Sequence, residues 1–185
     1  MVSHQLPLAW HYFVQEYRQA HQQLLRWVQA ILMVFIVTAI TFYQQRDMTT
    51  GPAPTLSNAT LIANIPGAET IDYRQGPSLI YFWGSWCPIC KTTSPSVSTL
   101  ADEGDYQIIS IALSSGNHET IQDYQKEHGY HFKTLNDDNG EISKQWGVAV
   151  TPSIFYVDTE GEITAISTGM TSLWGMRFRL WLSSL

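Results

Sequence analysis

Cysteine is nearly absent from this chain: its 185 residues contain two, Cys87 and Cys90. One pair leaves no second cysteine pair to complete a zinc site. A bridge between two residues so close in sequence would close only a tiny loop, so a purely structural disulfide would constrain little of the unfolded chain. Positive charge is scarce too. Ten Lys and Arg stand against 16 Asp and Glu, a formal net charge of −6. Residues 51–185 alone hold seven Lys/Arg and 14 Asp/Glu. That balance argues against nucleic acid as a partner, because phosphate binding needs a basic face. Internal repeats and low-complexity tracts are also missing.

Charge of either sign is missing from Trp27 to Tyr43, WVQAILMVFIVTAITFY. Seventeen residues are at the short end for a bilayer-spanning helix. Extending back through Leu24-Leu25 brings in Arg26, whose long side chain can reach the interface. Trp27, Phe42 and Tyr43 fall where amphipathic rings favour the two membrane surfaces. A buried core helix and a cleaved signal peptide compete with this reading. The 26 residues ahead of the run are long for a signal peptide's charged region, and no A-x-A cleavage site follows. The pattern therefore predicts an uncleaved signal anchor over 27–45, meeting the lipid bilayer through 27–43. Arg18 and Arg26 precede the run and Arg46 follows it, a bias of one residue that puts the segment 1–26 on the cytoplasmic side. Disulfide chemistry belongs to oxidising compartments, which puts the dithiol outside. Residues 46–56 read as a linker, since Asp47 to Thr55 (DMTTGPAPT) is rich in Gly, Pro and Thr.

The chemistry is concentrated in Trp83-Gly84-Ser85-Trp86-Cys87-Pro88-Ile89-Cys90, directly after the apolar run Leu79-Ile80-Tyr81-Phe82. A C-x-x-C beside a βαβ pattern is a redox signal. Pro88 has no N–H to lose, and its φ suits the first helical position. Cys87 is then expected at a helix N-terminus, where unpaired N–H groups and the helix dipole stabilise a thiolate. In that arrangement Cys87 is the exposed nucleophile. Cys90, one turn in, is buried and resolves the mixed disulfide. Trp83 is expected in the core and Trp86 over the dithiol. Two bland readings compete: inert buried cysteines, and a Cys2His2 zinc site completed by His128 and His131.

Along residues 57–185, short strands are expected at 61–65 and 70–73, then at Ser78–Trp83. A helix follows from Pro88 to about Glu103, kinked at Pro95. Gln107–Leu113 reads as a doubly covered strand. Asn117 caps a helix through His128 that Gly129 ends. Further elements are a strand at His131–Leu135, a helix at Glu141–Trp146, and strands at Ser153–Asp158 and Glu162–Ser167 around a turn at 159–161. A last helix starts at Thr171 or Ser172. Alternating βαβ followed by a hairpin and a helix predicts an α/β fold, a central mixed sheet with helices on both faces.

The strand–W-C-P-x-C–helix unit, Val150-Thr151-Pro152 before a strand, and the hairpin with its closing helix together resemble the thioredoxin-like fold over 57–185. The extra helix and strand at 117–135 resemble the insert of the TlpA-like branch. The anchor, the Cys87-Pro88-Ile89-Cys90 site and Thr171-Ser172-Leu173-Trp174-Gly175-Met176 are similar to ScsD-type (suppressor for copper sensitivity) proteins. The resemblance implies a protein disulfide oxidoreductase whose redox-active disulfide is Cys87–Cys90, with no cofactor and no metal. It implies a single-pass protein of the bacterial inner membrane with its C-terminal domain in the periplasm. It also implies protein thiol or disulfide substrates, a membrane thiol protein as electron donor or acceptor, and links to copper tolerance or cytochrome c maturation. Trp86, Pro88, Thr151 and Pro152 become supporting residues: Thr151-Pro152 matches the family's cis-proline loop, which would leave the Thr151 backbone free to pair with an extended substrate. Two positions depart from the family pattern, Tyr81 and Thr93 standing where relatives carry a buried acid or a glutamate, so the redox direction stays open. A different class of function, a Cu(I)-binding module on the same two thiols, is the alternative, since soft thiolates select Cu(I).

Overall fold

The computed structural model describes the backbone of residues 8–56 and 76–185, and the side chains of 21–56 and 76–185. The strands expected at 61–65 and 70–73 lie outside the described residues. The chain divides into two compact units, one ending at Tyr43 and the other running from Gln44 to Leu185.

The first unit is helix α1 (Leu8–Gln45), which continues to the start of the second. Its stretch His21–Gln45, 25 residues, is long and apolar enough to cross a membrane. At about 1.5 Å per residue it spans roughly 37 Å, more than a hydrocarbon core of about 30 Å. Within that stretch Trp27, Ile31, Leu32, Phe35, Ile40 and Phe42 are all exposed. The hydroxyls of Thr38 and Thr41 donate to the carbonyls of Val34 and Val37 one turn back, which leaves no polar hydrogen of theirs unpaired.

The second unit is built on a six-stranded sheet. Its strands are β1 (Gly51–Pro52), β2 (Ser78–Trp83), β3 (Gln107–Leu113), β4 (Lys133–Asp137), β5 (Ser153–Val157) and β6 (Glu162–Thr168), in the order β1-β6-β5-β2-β3-β4. β2 pairs parallel with β3, and β3 with β4; β2–β5, β5–β6 and β1–β6 are antiparallel. The helices are α2 (Cys90–Glu103), α3 (His118–His128), α4 (Glu141–Gln145) and α5 (Leu173–Leu182). Every residue of β2 is buried, which its unbroken apolar run requires of a strand covered on both faces.

Because side chains alternate along a strand, β2 feeds two cores. Leu79, Tyr81 and Trp83 join Ile154, Tyr156, Val97, Leu100, Ile121, Met176 and Leu180 beneath α2, α3 and α5. Ile80 and Phe82 join Phe155, Val157, Leu135, Trp146, Met48 and Leu56 on the other face. Each such aliphatic or aromatic side chain contributes on the order of 1.5–3 kcal/mol by leaving water.

Asn117 caps α3, its side chain accepting from the Thr120 N–H, and Gly129 ends it at φ 65°. Ser172 rather than Thr171 caps α5, accepting from the Gly175 N–H. The ends of α4, β5 and β6 each differ from expectation by one residue, and two boundaries move further. β4 starts two residues after the expected strand, and α2 begins at Cys90 because Pro88–Ile89 forms a turn ahead of it. The larger correction concerns the segment expected as a linker. Residues 46–56 are part of the second unit: the Thr49 N–H donates to the Trp146 carbonyl at 3.1 Å, β1 pairs with β6, and the Ala53 N–H donates to the Gly161 carbonyl at 2.8 Å. Met48 and Leu56 are buried. Gly147 lies so close that a Cβ on it would meet the Asp47 carbonyl oxygen. Gly, Pro and Thr mark turns, but they do not show that β6 leaves an edge to be paired.

Candidate active site

Four chain segments meet at one edge of the sheet. β2 and β3 end there at Trp83 and Leu113, β5 starts there opposite Phe82, and β6 ends there with Thr168 opposite Ser153. The dithiol loop leaves β2 at this edge. Cys87 N–H donates to the Gly84 carbonyl at 3.1 Å, which closes a tight turn. Gly84 has no side chain because the Trp86 indole lies there; a Cβ would come 2.6 Å from the ring. The Trp86 Nε1–H donates to the Leu113 carbonyl at 3.0 Å, and the Ser85 N–H donates to Ser115 Oγ at 3.0 Å. The segment after β3 therefore holds the loop from one side. Trp86 is about half exposed at the mouth of the site, and Pro88 and Ile89 are exposed beside it.

Cys87 and Cys90 form a disulfide with their Cα atoms 5.3 Å apart. The Cys90 N–H, at the first position of α2, points at Cys87 Sγ from 3.2 Å. The helix offers its positive end to Cys87 and not to Cys90. This asymmetry favours a thiolate on Cys87 once the bond is reduced. Cys87 is less open than expected. It is 3% exposed and Cys90 1%, and the Thr151 carbonyl oxygen lies 3.6 Å from Cys87 Sγ. The Thr151–Pro152 bond is cis. Its loop is pinned by the Gly169 N–H donating to the Pro152 carbonyl at 2.9 Å and by Ser153 Oγ donating to the Val150 carbonyl at 2.7 Å.

Trp83 is fully buried, its Nε1–H donating to Ser110 Oγ at 3.0 Å. Ser110 pairs with Thr134 Oγ1 at 2.7 Å, which also accepts from Gln125 Nε2 at 2.9 Å. A buried polar network thus ties the end of β2 to β3, β4 and α3. Beneath Cys90, the Tyr81 hydroxyl bonds Ser94 Oγ at 2.9 Å and approaches the Cys90 carbonyl at 3.5 Å. Burial pushes the Tyr81 phenol far above its ordinary range, against the opposing hydrogen bond from Ser94, so it stays neutral. Thr93 is buried as well.

The expected site residues therefore come together: Cys87, Cys90, Trp86, Pro88, Thr151 and Pro152 lie on one edge. His128 and His131 are engaged elsewhere. His128 stacks on Tyr124 with its Nδ1 at that residue's carbonyl, and His131 Nδ1 faces Asp102 at 3.0 Å. Among the described residues no group of three His, Cys, Asp or Glu is placed to hold a metal ion. Sequence reasoning missed Ser94, Ser110 and Ser115. A signal existed for Ser94, which follows Cys90 by four residues and so shares its helix face. Another existed for Ser110, a lone hydroxyl inside an apolar strand.

The model of the AhpC/TSA family matches residues 53–166. A "thioredoxin-like protein" of Haemophilus influenzae is 37% identical over 82% of this chain and 89% of its own length. A "thiol:disulfide interchange protein DsbE homolog" of Paracoccus denitrificans is 29% identical over 60% of this chain, which covers 61% of that protein. Among solved structures, a thiol:disulfide interchange protein of the thioredoxin family from Chlorobium tepidum superposes with a TM-score of 0.60 over 74% of this chain and 98% of its own, at 17% identity. On its fold, its C-x-x-C pair and these matches, the chain belongs to the AhpC/TSA family of thioredoxin-like proteins and is a thiol-disulfide oxidoreductase.

Proposed function

We propose that this protein is a membrane-anchored, extracytoplasmic oxidoreductase in which Cys87 attacks and Cys90 resolves. The observation that carries the roles is the Cys90 N–H aimed at Cys87 Sγ. In the reducing direction, the Cys87 thiolate attacks a substrate disulfide, one substrate sulfur leaves as thiolate, and a mixed disulfide forms. Cys90 loses its proton and its sulfur attacks Cys87. The Cys87–Cys90 bond forms, the second substrate thiolate leaves, and two electrons have passed from dithiol to substrate. Oxidation is the same sequence reversed. The Thr151 main chain, beside Cys87 Sγ, offers its polar groups to an extended substrate segment, a mode that gives affinity with little sequence preference.

The helix His21–Gln45, long and apolar enough to cross a membrane, supports anchoring with a single pass, and a redox-active dithiol, whose chemistry belongs to oxidising compartments, supports a second unit in the periplasm. A membrane thiol protein then supplies or withdraws electrons. The similarity of the anchor, the Cys87-Pro88-Ile89-Cys90 site and the ending around Trp174 to ScsD-type proteins supports copper-linked or cytochrome c thiols as substrates. The test is trapping. In cells, Cys90→Ala should accumulate mixed disulfides with other proteins through Cys87, and Cys87→Ala should not. Equal trapping by both variants would overturn the roles. A reporter fused after Leu185 that is active only in the cytoplasm would overturn the location.

A further inference from the structure

α5 is apolar on two faces. Met176 and Leu180 are buried in the core. Trp174, Phe178, Trp181, Leu182 and, just past the helix end, Leu185 are exposed. Their spacing of i, i+4, i+7, i+8 and i+11 makes them one stripe, on the side of the helix away from Met176 and Leu180. The rings of Phe178 and Trp181 lie 6.0 Å apart, and the Arg177 guanidinium sits 5.0 Å over the Trp174 ring. Trp174 is 75% exposed. An open apolar patch of this kind marks an interaction surface.

The first observation on what covers it is charge. All 14 Asp and Glu of residues 51–185 lie at or before Glu162, whereas residues 163–185 carry Arg177, Arg179 and no acid. Arg177 is paired with Glu103 at the end of α2, and Arg179 donates to the Gly175 carbonyl. An anionic surface therefore repels the rest of the second unit and attracts this end of it. The second observation is attachment. The second unit starts at Gln44, inside the apolar stretch His21–Gln45, so no spacer separates the domain of an anchored chain from its bilayer. A short helix that would hold lipid weakly from free solution then meets it at a high effective concentration. The third is position. Ser183 Oγ bonds Thr164 Oγ1 at 2.6 Å, next to Ile163, which pairs with Gly51. The end of α5 thus lies by β1, the strand through which the chain enters the domain.

We propose that the exposed face of α5 docks on the surface of the anionic bilayer in which the chain is anchored. The docking rests on the anchoring reading given above. Tryptophan and arginine are side chains suited to the headgroup level, and a helix lying in that plane sinks its apolar face about 5–10 Å into the headgroup–acyl boundary. β6 ends at the dithiol edge with Thr168 opposite Ser153, and α5 begins at Leu173. A domain resting on α5 therefore holds that edge beside the membrane, where a membrane thiol protein meets Cys87.

The test is photolabelling from within the lipid. The full-length protein is placed in nanodiscs of phosphatidylcholine and phosphatidylglycerol, one copy per disc. A trace phospholipid carries a photoreactive diazirine high in one acyl chain, and labelled peptides are mapped by mass spectrometry. Label is expected in α1 and in residues 174–185, and not in the exposed, acidic helix α3. Trp174→Ser combined with Trp181→Ser, both at exposed positions, should lower the α5 label at least about fivefold and leave that on α1 within about twofold. Discs of phosphatidylcholine alone should lower the α5 label at least about twofold, because the attraction of Arg177 and Arg179 is lost. Label in α1 without label in α5, a double variant labelled like the unaltered protein, or equal label in neutral discs overturns the docking. Label in α5 that appears only with two copies per disc assigns the face to a second copy and overturns it too. Absence of label from α1 as well would defeat the anchoring reading, and the docking with it.

Discussion

Ser110→Ala tests the buried network behind the dithiol. In the folded protein the Trp83 Nε1–H has Ser110 Oγ as its acceptor at 3.0 Å, and Trp83 is fully buried. Removing the hydroxyl leaves that N–H without a partner and out of reach of water. Thr134 is better placed, because it still accepts from Gln125 and can donate to the Phe132 carbonyl at 3.4 Å. One orphaned buried donor costs about 1–3 kcal/mol, and deleting one oxygen opens only a small void. The expected loss is therefore about 2 kcal/mol, a large share of a typical total of about 5–15 kcal/mol. Urea unfolding of the oxidised protein should show a lower midpoint with an unchanged slope. Trp83→Phe in the Ser110→Ala background should cost less than Trp83→Phe alone, because the orphan is then gone; the coupling should be at least about 1 kcal/mol. A Ser110→Ala loss under about 0.5 kcal/mol, or strictly additive variants, would refute the reasoning.

Two further predictions follow from the packing and the tyrosines. Gly84→Ala should push the Trp86 indole off its seat and break its bond to Leu113; overpacking costs about 1–3 kcal/mol, and the lower end applies because Trp86 is half exposed. Deuterium exchange should then show one indole N–H losing its protection. Burial raises the phenols of Tyr81 and Tyr156 above their ordinary value. The unfolded chain loses those protons from about pH 10 while the folded chain keeps them. Their contribution is thus intact below pH ~10 and is lost as pH rises beyond it. An absorbance titration should find the two tyrosines ionising only as the protein unfolds.

Much of this was legible in the residues. The apolar run before Trp-Cys-Pro and the Asn117 and Gly129 caps carry local signals strong enough to fix β2 and α3. The dithiol was legible because thiolate chemistry at a helix start needs few residues in a fixed order. The docking of 46–56 was not, since it depends on an edge of β6 and on Trp146, about a hundred residues away. Nor was the approach of the Thr151 carbonyl to Cys87 legible, because it comes about only through the tertiary fold. Tyr81 could be seen to replace an acid. Its hydrogen bond to Ser94 could not be seen, because α2 reaches β2 there only in the tertiary fold.

The central claim is that the fold makes two chemically similar cysteines unequal. It is tested most directly by alkylating the reduced full-length protein over a pH series and mapping the labelled peptides. The account predicts that Cys87 is labelled well before Cys90 and keeps reacting below neutral pH, as a thiolate held by the first N–H of α2 should. Equal labelling, labelling of Cys90 first, or a Cys87 that reacts only near the ordinary thiol range of about 8.5 would contradict it.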